Sequence, residues 1–338
     1  MEKQSKKIAV LILNWNGVKL LETYLPSVVK YNSSEAEIII IDNASEDNSI
    51  LFLQNTYPHI KRIEFKENYG FAKGYNKAIN LIHHKYVVLL NSDVRVTENW
   101  LQPPIEFLNS NTDYAVCQPK VLDDKTPLKF EYAGASGGYI DKLGYPFCRG
   151  RIFDRIEDDK GQYDQVKDIF WASGAALFAR REVYLKLGGL DESFFAHQEE
   201  IDLCWRILND GHKIACIPQS KVYHLGGASL DKSRPKKTFL NFRNNLVMLL
   251  KNLPSYALPI IFIRLVLDGL AGIKFIREGK ISHSFAIFKA HMSFYLKIPI
   301  TIMKRRKTAI ISSKIKYKGS ILTDYYLKGN KRFNDLNW

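Results

Sequence analysis

The chain has 338 residues, enough for one large domain with an appendage or for two modest domains. Hydrophobic residues make up 46% and charged residues 25%, which excludes a disordered chain, a collagen-like fibre and a low-complexity scaffold. Lys and Arg outnumber Asp and Glu by 49 to 35, and the excess is concentrated: residues 231–338 carry a net +17 and residues 1–230 a net −3. Such a basic third seeks an anionic partner: nucleic acid, anionic lipid or a phosphorylated substrate.

The first hundred residues alternate in type. An apolar run at 8–13 ends in Asn14, and a helical pattern over 18–30 follows. A second buried strand at 37–41 ends in Asp42, with a helix over 47–55 behind it. A strand at 60–65 and a helix at 72–83 come next, and a fourth strand at 86–90 ends in Asn91-Ser92-Asp93. Continuous β-branched runs alternating with helices predict βαβ units and a parallel sheet covered on both faces. Ligands of open α/β sheets sit beyond the carboxyl ends of the strands. Asn14, Asp42, Asn68 and Asp93 are therefore expected to face one crevice. The rival for Asp42 and Asn43, ahead of Ser45-Glu46-Asp47, is helix capping.

From 114 to 225 the pattern loosens and Gly becomes frequent. Residues 171–178 read as a small-residue turn entering a strand, and 198–209 as a helix with an acidic first turn, which also suits the helix dipole. Two strands are expected at 213–217 and 221–224, the second broken by Gly226-Gly227. The four cysteines, Cys117, Cys148, Cys204 and Cys216, contain no CxxC pair. Neither structural zinc nor a disulfide framework is suggested, and a reducing compartment is the simplest reading. The opening apolar run is too short for a signal h-region, so an unexported protein is expected.

After residue 230 the composition changes. Residues 239–253 form an amphipathic helical pattern. Residues 258–276 are strongly apolar but carry Arg264, Asp268 and Lys274, and 285–303 carry Lys289, His291 and Lys297 before Lys304-Arg305-Arg306-Lys307. No stretch reaches eighteen residues without a charge, so a span is not expected. Apolar helices flanked by Lys and Arg fit a monotopic attachment to an anionic cytoplasmic leaflet. The alternative is a helical hairpin packed on the protein's own body. Aromatics here are interleaved with aliphatic runs rather than Gly or Ser, so nucleic acid is not the expected partner.

No GxxxxGK[ST] loop and no GxGxxG opens the first helix, which removes the main support for P-loop and dinucleotide readings. Asp93, after a buried strand, is a good place for Mg²⁺ or Mn²⁺, with most remaining oxygens coming from a substrate diphosphate.

The set NWN (14–16), IDNAS (41–45), ENYGFAKGYN (67–76), LLNSDV (89–94), SGAALFARR (173–181), GGLDESFFAHQEEIDLCWR (188–206) and VYHLGGAS (222–229) resembles glycosyltransferase family 2, and within it the bacterial rhamnosyltransferase-like branch. The resemblance covers about residues 8–230. It implies a GT-A fold, Rossmann-like with a mostly parallel sheet, over 1–230. The basic helical extension (231–310) and basic tail (311–338) lie beyond it. It also implies inverting transfer of a sugar from a nucleoside diphosphate to an acceptor hydroxyl.

By the same resemblance, Asn14, Trp15, Asn16 and Asn43 lie beside the nucleotide, and Asp42 selects uracil or thymine by accepting from N3–H. Asn68, Gly70, Phe71, Gly74 and Asn76 match the stretch whose small residues let backbone approach the nucleotide. Asn91, Ser92 and Asp93 stand where the family has D-x-D, with Asn replacing the first Asp. Asp93 and His224 are the implied metal ligands for Mg²⁺ or Mn²⁺. Glu200 is the implied base, with Glu199 and Asp202 in reserve; the rival is a first turn that merely complements the helix dipole. His224 has the rival of a satisfied structural histidine. Trp171, Gly174 and Glu199 are assigned to the acceptor side, with a buried tryptophan as the rival for Trp171. Arg243, in FRNN, is a candidate for binding diphosphate or lipid phosphate, or else an ordinary helix-surface arginine. The implied acceptor is a saccharide on a polyprenyl carrier at the cytoplasmic face of the plasma membrane. The competing functions are a nucleotidyltransferase acting on sugar phosphates and a non-catalytic nucleotide-sugar-binding scaffold.

Overall fold

The computed structural model describes residues 6–226, 235–254, 257–305 and 315–338. Gly227, the boundaries at 230/231 and 310/311, and Arg306-Lys307 lie outside the described residues.

The chain opens with β1 (Ile8–Asn14), α1 (Val18–Lys30), β2 (Ala36–Asp42), α2 (Ser49–Thr56), β3 (Lys61–Glu64), α3 (Gly70–Asn80) and β4 (Tyr86–Asn91). Then come β5 (Val94–Val96), α4 (Gln102–Ser110) and β6 (Tyr114–Asp123). A small antiparallel sheet follows, of β7 (Gly138–Ile140), β8 (Pro146–Cys148), β9 (Arg151–Ile152) and β10 (Arg155–Ile156). The chain re-enters the main sheet through β11 (Lys167–Asp168) and β12 (Ala176–Arg180). After α5 (Arg181–Lys186) and α6 (Glu199–Asn209) comes β13 (Lys213–His224). The C-terminal third holds α7 (Pro235–Asn252), α8 (Ala257–Arg277), α9 (Ile281–Met303) and α10 (Ile321–Tyr326).

The main sheet runs β11-β13-β6-β12-β4-β1-β2-β3, with β5 also on β13. Strands β4, β1, β2 and β3 are parallel, as their sequence pattern predicts. The other half is mixed, because β12 enters antiparallel between β4 and β6. The apolar runs are continuous because both faces are covered. In β1, Ala9 and Leu11 join one core and Ile8, Val10 and Ile12 the other. Helices α1 and α4 cover one face; α3, α6 and α7 cover the other.

Two expectations change in detail. The strands expected at 213–217 and 221–224 are one strand, β13, with a register shift between Ile217 and Lys221. Strand β6 gives no clear sequence signal because Gln118, Pro119 and Lys120 interrupt it. Lys120 is buried, and its charge is met by Asp159 and Asp164.

Register places the site. Asn14 is paired with Asp42, and Leu13 with Asn91, so three strand ends share one edge. Strand β5 pairs with the end of β13, setting Val94 opposite His224.

Helix α7 packs on α9 and α8, and is tied to the body by ions. Lys251 reaches Asp191 (2.7 Å) and Asp202 (2.8 Å), and Lys304 reaches Asp191 (2.8 Å). The 315–338 segment packs on the small sheet, where Phe333 and Trp338 meet Tyr139 and Phe147.

Candidate active site

The edge at the carboxyl ends of β1 and β2, expected to meet the nucleotide, is three loops locked together. Asn14 Nδ2 donates to Asp42 Oδ1 and to Ser45 Oγ, each at 3.1 Å. Asp42 also accepts from Ser45 N (2.9 Å) and Ser45 Oγ (2.6 Å). Three of a carboxylate's roughly four acceptor positions are thus taken, leaving about one for a ligand donor. Helix α2 starts only at Ser49, so neither Asp42 nor Asn43 caps it. Asn43 instead holds the third loop, donating to Asn68 Oδ1 (2.8 Å) and Gly70 O (3.2 Å) and accepting from Tyr69 N (2.9 Å). Asn16, at φ 49°, accepts from the amides of Glu46 and Asp47. Trp15 is 57% exposed beside this edge, its ring free to stack.

Two residues of the 67–76 stretch do other work. A Cβ on Gly74 would lie 2.9 Å from Leu13 Cδ1, so this glycine lets α3 pack on the sheet rather than backbone approach a ligand. Asn76 accepts from Tyr184 Oη (2.7 Å) and Leu190 N (3.0 Å) and donates to Leu190 O (2.8 Å). It holds the Gly188–Leu190 turn and has no free polar group for a nucleotide.

Asp93 Oδ1 lies 3.1 Å from His224 Nε2, and Asn91 Nδ2 lies 3.4 Å from the same nitrogen. On the other side His224 Nδ1 stands 3.4 Å from Glu131 Oε1. Burial pushes the imidazole down, but the hydrogen bonds and charges of Asp93 and Glu131 prevail and lift it to about 10. His224 thus stands between two carboxylates, a position in which positive charge is stabilised. Cis ligands of an octahedral ion at about 2.1 Å lie about 3.0 Å apart, so the Asp93–His224 spacing fits two such ligands. Carboxylate with imidazole suits Mn²⁺ chemistry. Among the described residues no group of three His, Cys, Asp or Glu side chains encloses an ion, so other ligands would have to come from substrate and water.

Helix α6 presents three carboxylates in its first turn. Glu199 is buried, and burial followed by the charge of Glu200 pushes it well above the carboxylate range. Glu200 is half-buried, and desolvation pushes it up to about 7. Oε2 of each is shielded and lacks a hydrogen-bond partner. Asp202 differs: burial raises it, but Arg206 and Lys251 bring it below the usual range. It is fully buried, paired with Arg206 (2.9 Å) and Lys251 (2.8 Å), and accepts from Asn252 (2.8 Å). Asp202 is a structural anchor with no capacity left to act as a base.

A Cβ on Gly174 would stand 3.6 Å from Phe71 Cζ and 3.9 Å from Glu200 Cβ. The bare glycine therefore leaves room between a ring of the nucleotide-edge stretch and the Glu200 side chain. Trp171 does not share in this wall. It is buried, its Nε1 donates to Tyr139 O (3.0 Å), and its ring fills the place where Gly138 has no side chain. Arg243 is neither exposed nor free for phosphate: it is buried and donates to Phe194 O (2.9 Å) and Ser193 O (3.3 Å).

The family model for Glycosyl transferase family 2 matches residues 9–184, just over half of the chain. The chain belongs to this family. Among its relatives is the low-salt glycan biosynthesis hexosyltransferase Agl10 of Haloferax volcanii, 22% identical, with 71% of this chain and 74% of that one covered. The N-acetylglucosaminyl-diphospho-decaprenol L-rhamnosyltransferase of Mycobacterium tuberculosis is also 22% identical, over 64% of this chain and 75% of that one. Among solved structures, GalNAc-T7 with UDP, GalNAc and Mn²⁺ superposes with a TM-score of 0.59 at 15% identity, covering 88% of this chain and 58% of that one. The family 2 chain therefore has the GT-A arrangement, with a helical C-terminal region added. No described helix is long and apolar enough to cross a membrane.

Two parts of this family 2 site escape sequence reasoning. Glu131 sits in a segment without period, so nothing local marks it as His224's neighbour. Phe195, His197 and Gln198 all adopt left-handed backbone, at φ 68°, 69° and 70°. None is Gly or Asn, and each costs roughly 1–2 kcal/mol there. That strain sits in the turn directly ahead of Glu199-Glu200, where strained backbone commonly accompanies function.

Proposed function

We propose that the protein is an inverting glycosyltransferase that moves a sugar from a UDP- or TDP-sugar to a hydroxyl of a saccharide acceptor, in assembly of a cell-surface polysaccharide. One observation carries the reading: Glu200, raised to about 7, has a shielded Oε2 without a hydrogen-bond partner and lies beside the space that Gly174 leaves open. A base with that affinity can take a proton near neutral pH.

Asp42, Asn14 and Asn43 hold the nucleotide edge, and Trp15 covers it. Asp93 and His224 would hold Mg²⁺ or Mn²⁺, which when bound neutralises charge on a departing diphosphate. The acceptor oxygen attacks the anomeric carbon, its proton passes to Glu200, and the bond from that carbon to the diphosphate oxygen breaks. One displacement inverts the configuration. Glu199 is buried, and burial together with the charge of Glu200 disfavours a second negative charge there.

The acceptor we assign is a saccharide on a polyprenyl diphosphate, and the place of work the cytoplasmic face of the plasma membrane. Support comes from α8 and α9. Of their charged residues, Arg264 and Asp268 face inward: both are buried, Arg264 stacks on Tyr145 at 3.6 Å, and His291 lies 3.5 Å from Asp268. Their apolar residues face outward: Phe262, Val266, Leu270 and Ile273 on α8; Phe285, Phe288, Leu296 and Met303 on α9. Lys274, Arg277, Lys280 and Lys289 are exposed beside that face. A patch this large on a soluble surface marks an interaction site, and its basic fringe suits anionic lipid. The mycobacterial relative is an N-acetylglucosaminyl-diphospho-decaprenol L-rhamnosyltransferase, which agrees with a lipid-borne acceptor.

The test is a panel of UDP-, TDP- and GDP-sugars with Mn²⁺ or Mg²⁺, read by nucleoside diphosphate release and by binding. The reading expects one UDP- or TDP-sugar to bind and turn over, and Glu200→Gln to bind it without turnover. Release of pyrophosphate would point to a nucleotidyltransferase, and absence of binding by every sugar nucleotide would end the transferase reading.

A further inference from the structure

The strained turn ahead of α6 is held from behind by α7. Asn244 Nδ2 shares its two N–H groups among three carbonyls of the turn: Phe194 (3.1 Å), Ala196 (2.9 Å) and His197 (2.8 Å). The left-handed residues turn these carbonyls toward α7. Asn244 Oδ1 accepts from Arg243 Nε (2.9 Å) and Nη2 (2.7 Å). That pins the amide with its donor end on the turn, since a guanidinium has donors only. Arg243 itself donates to the carbonyls of Ser193 and Phe194. Asn245 Nδ2 donates to Gln198 Oε1 (3.0 Å), and Gln198 Nε2 donates back to Asn241 O (3.1 Å).

These bonds are not needed to dock α7. Its buried Leu246, Leu249 and Leu250 lie in the core, and its far end is tied down through Lys251 and Asn252. The Asn244 bonds serve the turn alone. Buried carbonyls without donors would return to water, and the left-handed residues would relax with them.

We infer that Asn244 is a positioning residue: by binding the carbonyls of Phe194, Ala196 and His197 it holds the 194–198 turn in its strained form and so sets where Glu200 points, with Arg243 orienting its amide. The inference rests on Glu200 being the base, as proposed above. Asn244 acts through the turn and takes no part in proton transfer. A displaced base loses rate without loss of donor binding, because the donor edge is built from β1, β2 and the 67–70 loop.

The experiment compares full-length wild type, Asn244→Ala and Leu249→Ala, the last a core truncation on the same helix that leaves the turn bonded. Turnover, donor affinity and hydrogen exchange of amides 193–200 are measured below the melting temperature of each. Asn244→Ala is expected to lose about 10²-fold in kcat, to keep donor affinity within about twofold, and to exchange faster in the turn. Leu249→Ala is expected to lose stability and keep kcat within about threefold. Should Asn244→Ala not fold, Asn244→Asp, which keeps shape but has no N–H to donate, is read the same way. Unchanged kcat, or unchanged exchange in the turn, overturns the inference. If wild type turns over no donor, the failure belongs to the transferase reading, and exchange still decides whether Asn244 holds the turn.

Discussion

Asp93 Oδ1 and His224 Nε2 stand 3.1 Å apart at the carboxyl edge of the sheet, brought together by the pairing of β5 with the last residues of β13. Each alone is an ordinary polar residue at a strand end; together they would supply two ligands to the divalent cation proposed above. Replacing either should weaken the cation response, not the fold. For Asp93→Ala and His224→Ala we expect at least a 10²-fold loss of turnover, about 2.7 kcal/mol of transition-state stabilisation. The rate as a function of Mn²⁺ concentration checks this, and a variant with an unchanged Mn²⁺ half-saturation removes its residue from the metal site.

Activity and stability should run in opposite directions with pH at Glu200. Its acid form is favoured in the fold, from an ordinary 4.5 to about 7. The stabilisation from that tighter proton is complete below the unfolded value and is lost as pH rises through about 7. Deprotonation over the same window creates the base, so turnover should rise with an apparent pKa near 7. Glu200→Gln should therefore be inactive yet more stable than wild type at pH 8, by about 1–3 kcal/mol, and equal to it near pH 4. Thermal melts across pH decide it. A rate limb well above 7 would instead assign the base to Glu199.

Asp202 should be separable from catalysis. Asp202→Asn leaves Arg206 and Lys251 buried with one carboxylate fewer, which should cost about 3–5 kcal/mol in urea unfolding. Below its melting temperature the variant should keep turnover within a few-fold. A specific loss of kcat with intact stability would contradict the anchor role.

The space at Gly174 can be filled without strain, because its φ is not left-handed and a Cβ would make only ordinary contacts. Gly174→Ala should raise the acceptor KM severalfold and leave donor affinity unchanged. Equal loss of both would place the residue on the donor side.

Phe262, Leu270 and Leu296 are exposed, Leu296 to 84%, so replacing them with Ser should cost little stability. The triple variant should lose binding to vesicles containing phosphatidylglycerol, measured by flotation at low and high salt. Retained flotation would mean that α8 and α9 do not meet the bilayer through this face.

Much of this architecture is written locally. Strands β1, β2 and β4 announce themselves because both faces are buried, and an unbroken apolar run is the only composition that satisfies both. Helices α6 to α9 show in their periodicity, and the strand-end residues Asn14, Asp42 and Asp93 follow from where α/β sheets bind ligands. Strand β6 and the small sheet did not show, since buried Lys120 and short Gly-rich strands are explicable only by partners far along the chain. The same holds for site residues. Gly74, Asn76, Trp171, Asp202 and Arg243 sit in or near motifs with a ligand-binding look, but their hydrogen bonds, ion pairs and packing are spent inside the protein.

The sequence by itself determined the βαβ half of the sheet, the acidic first turn of α6 and the basic, apolar C-terminal third, because each depends on side chains within a few residues of one another. Only the tertiary structure decided that Asp202 alone of the three α6 carboxylates is spent in ion pairs, that Glu131 backs His224, and that α7 reaches across to hold the turn before Glu200. Those outcomes depend on strand register and helix docking, which bring together residues whose local sequence carries no mark of one another.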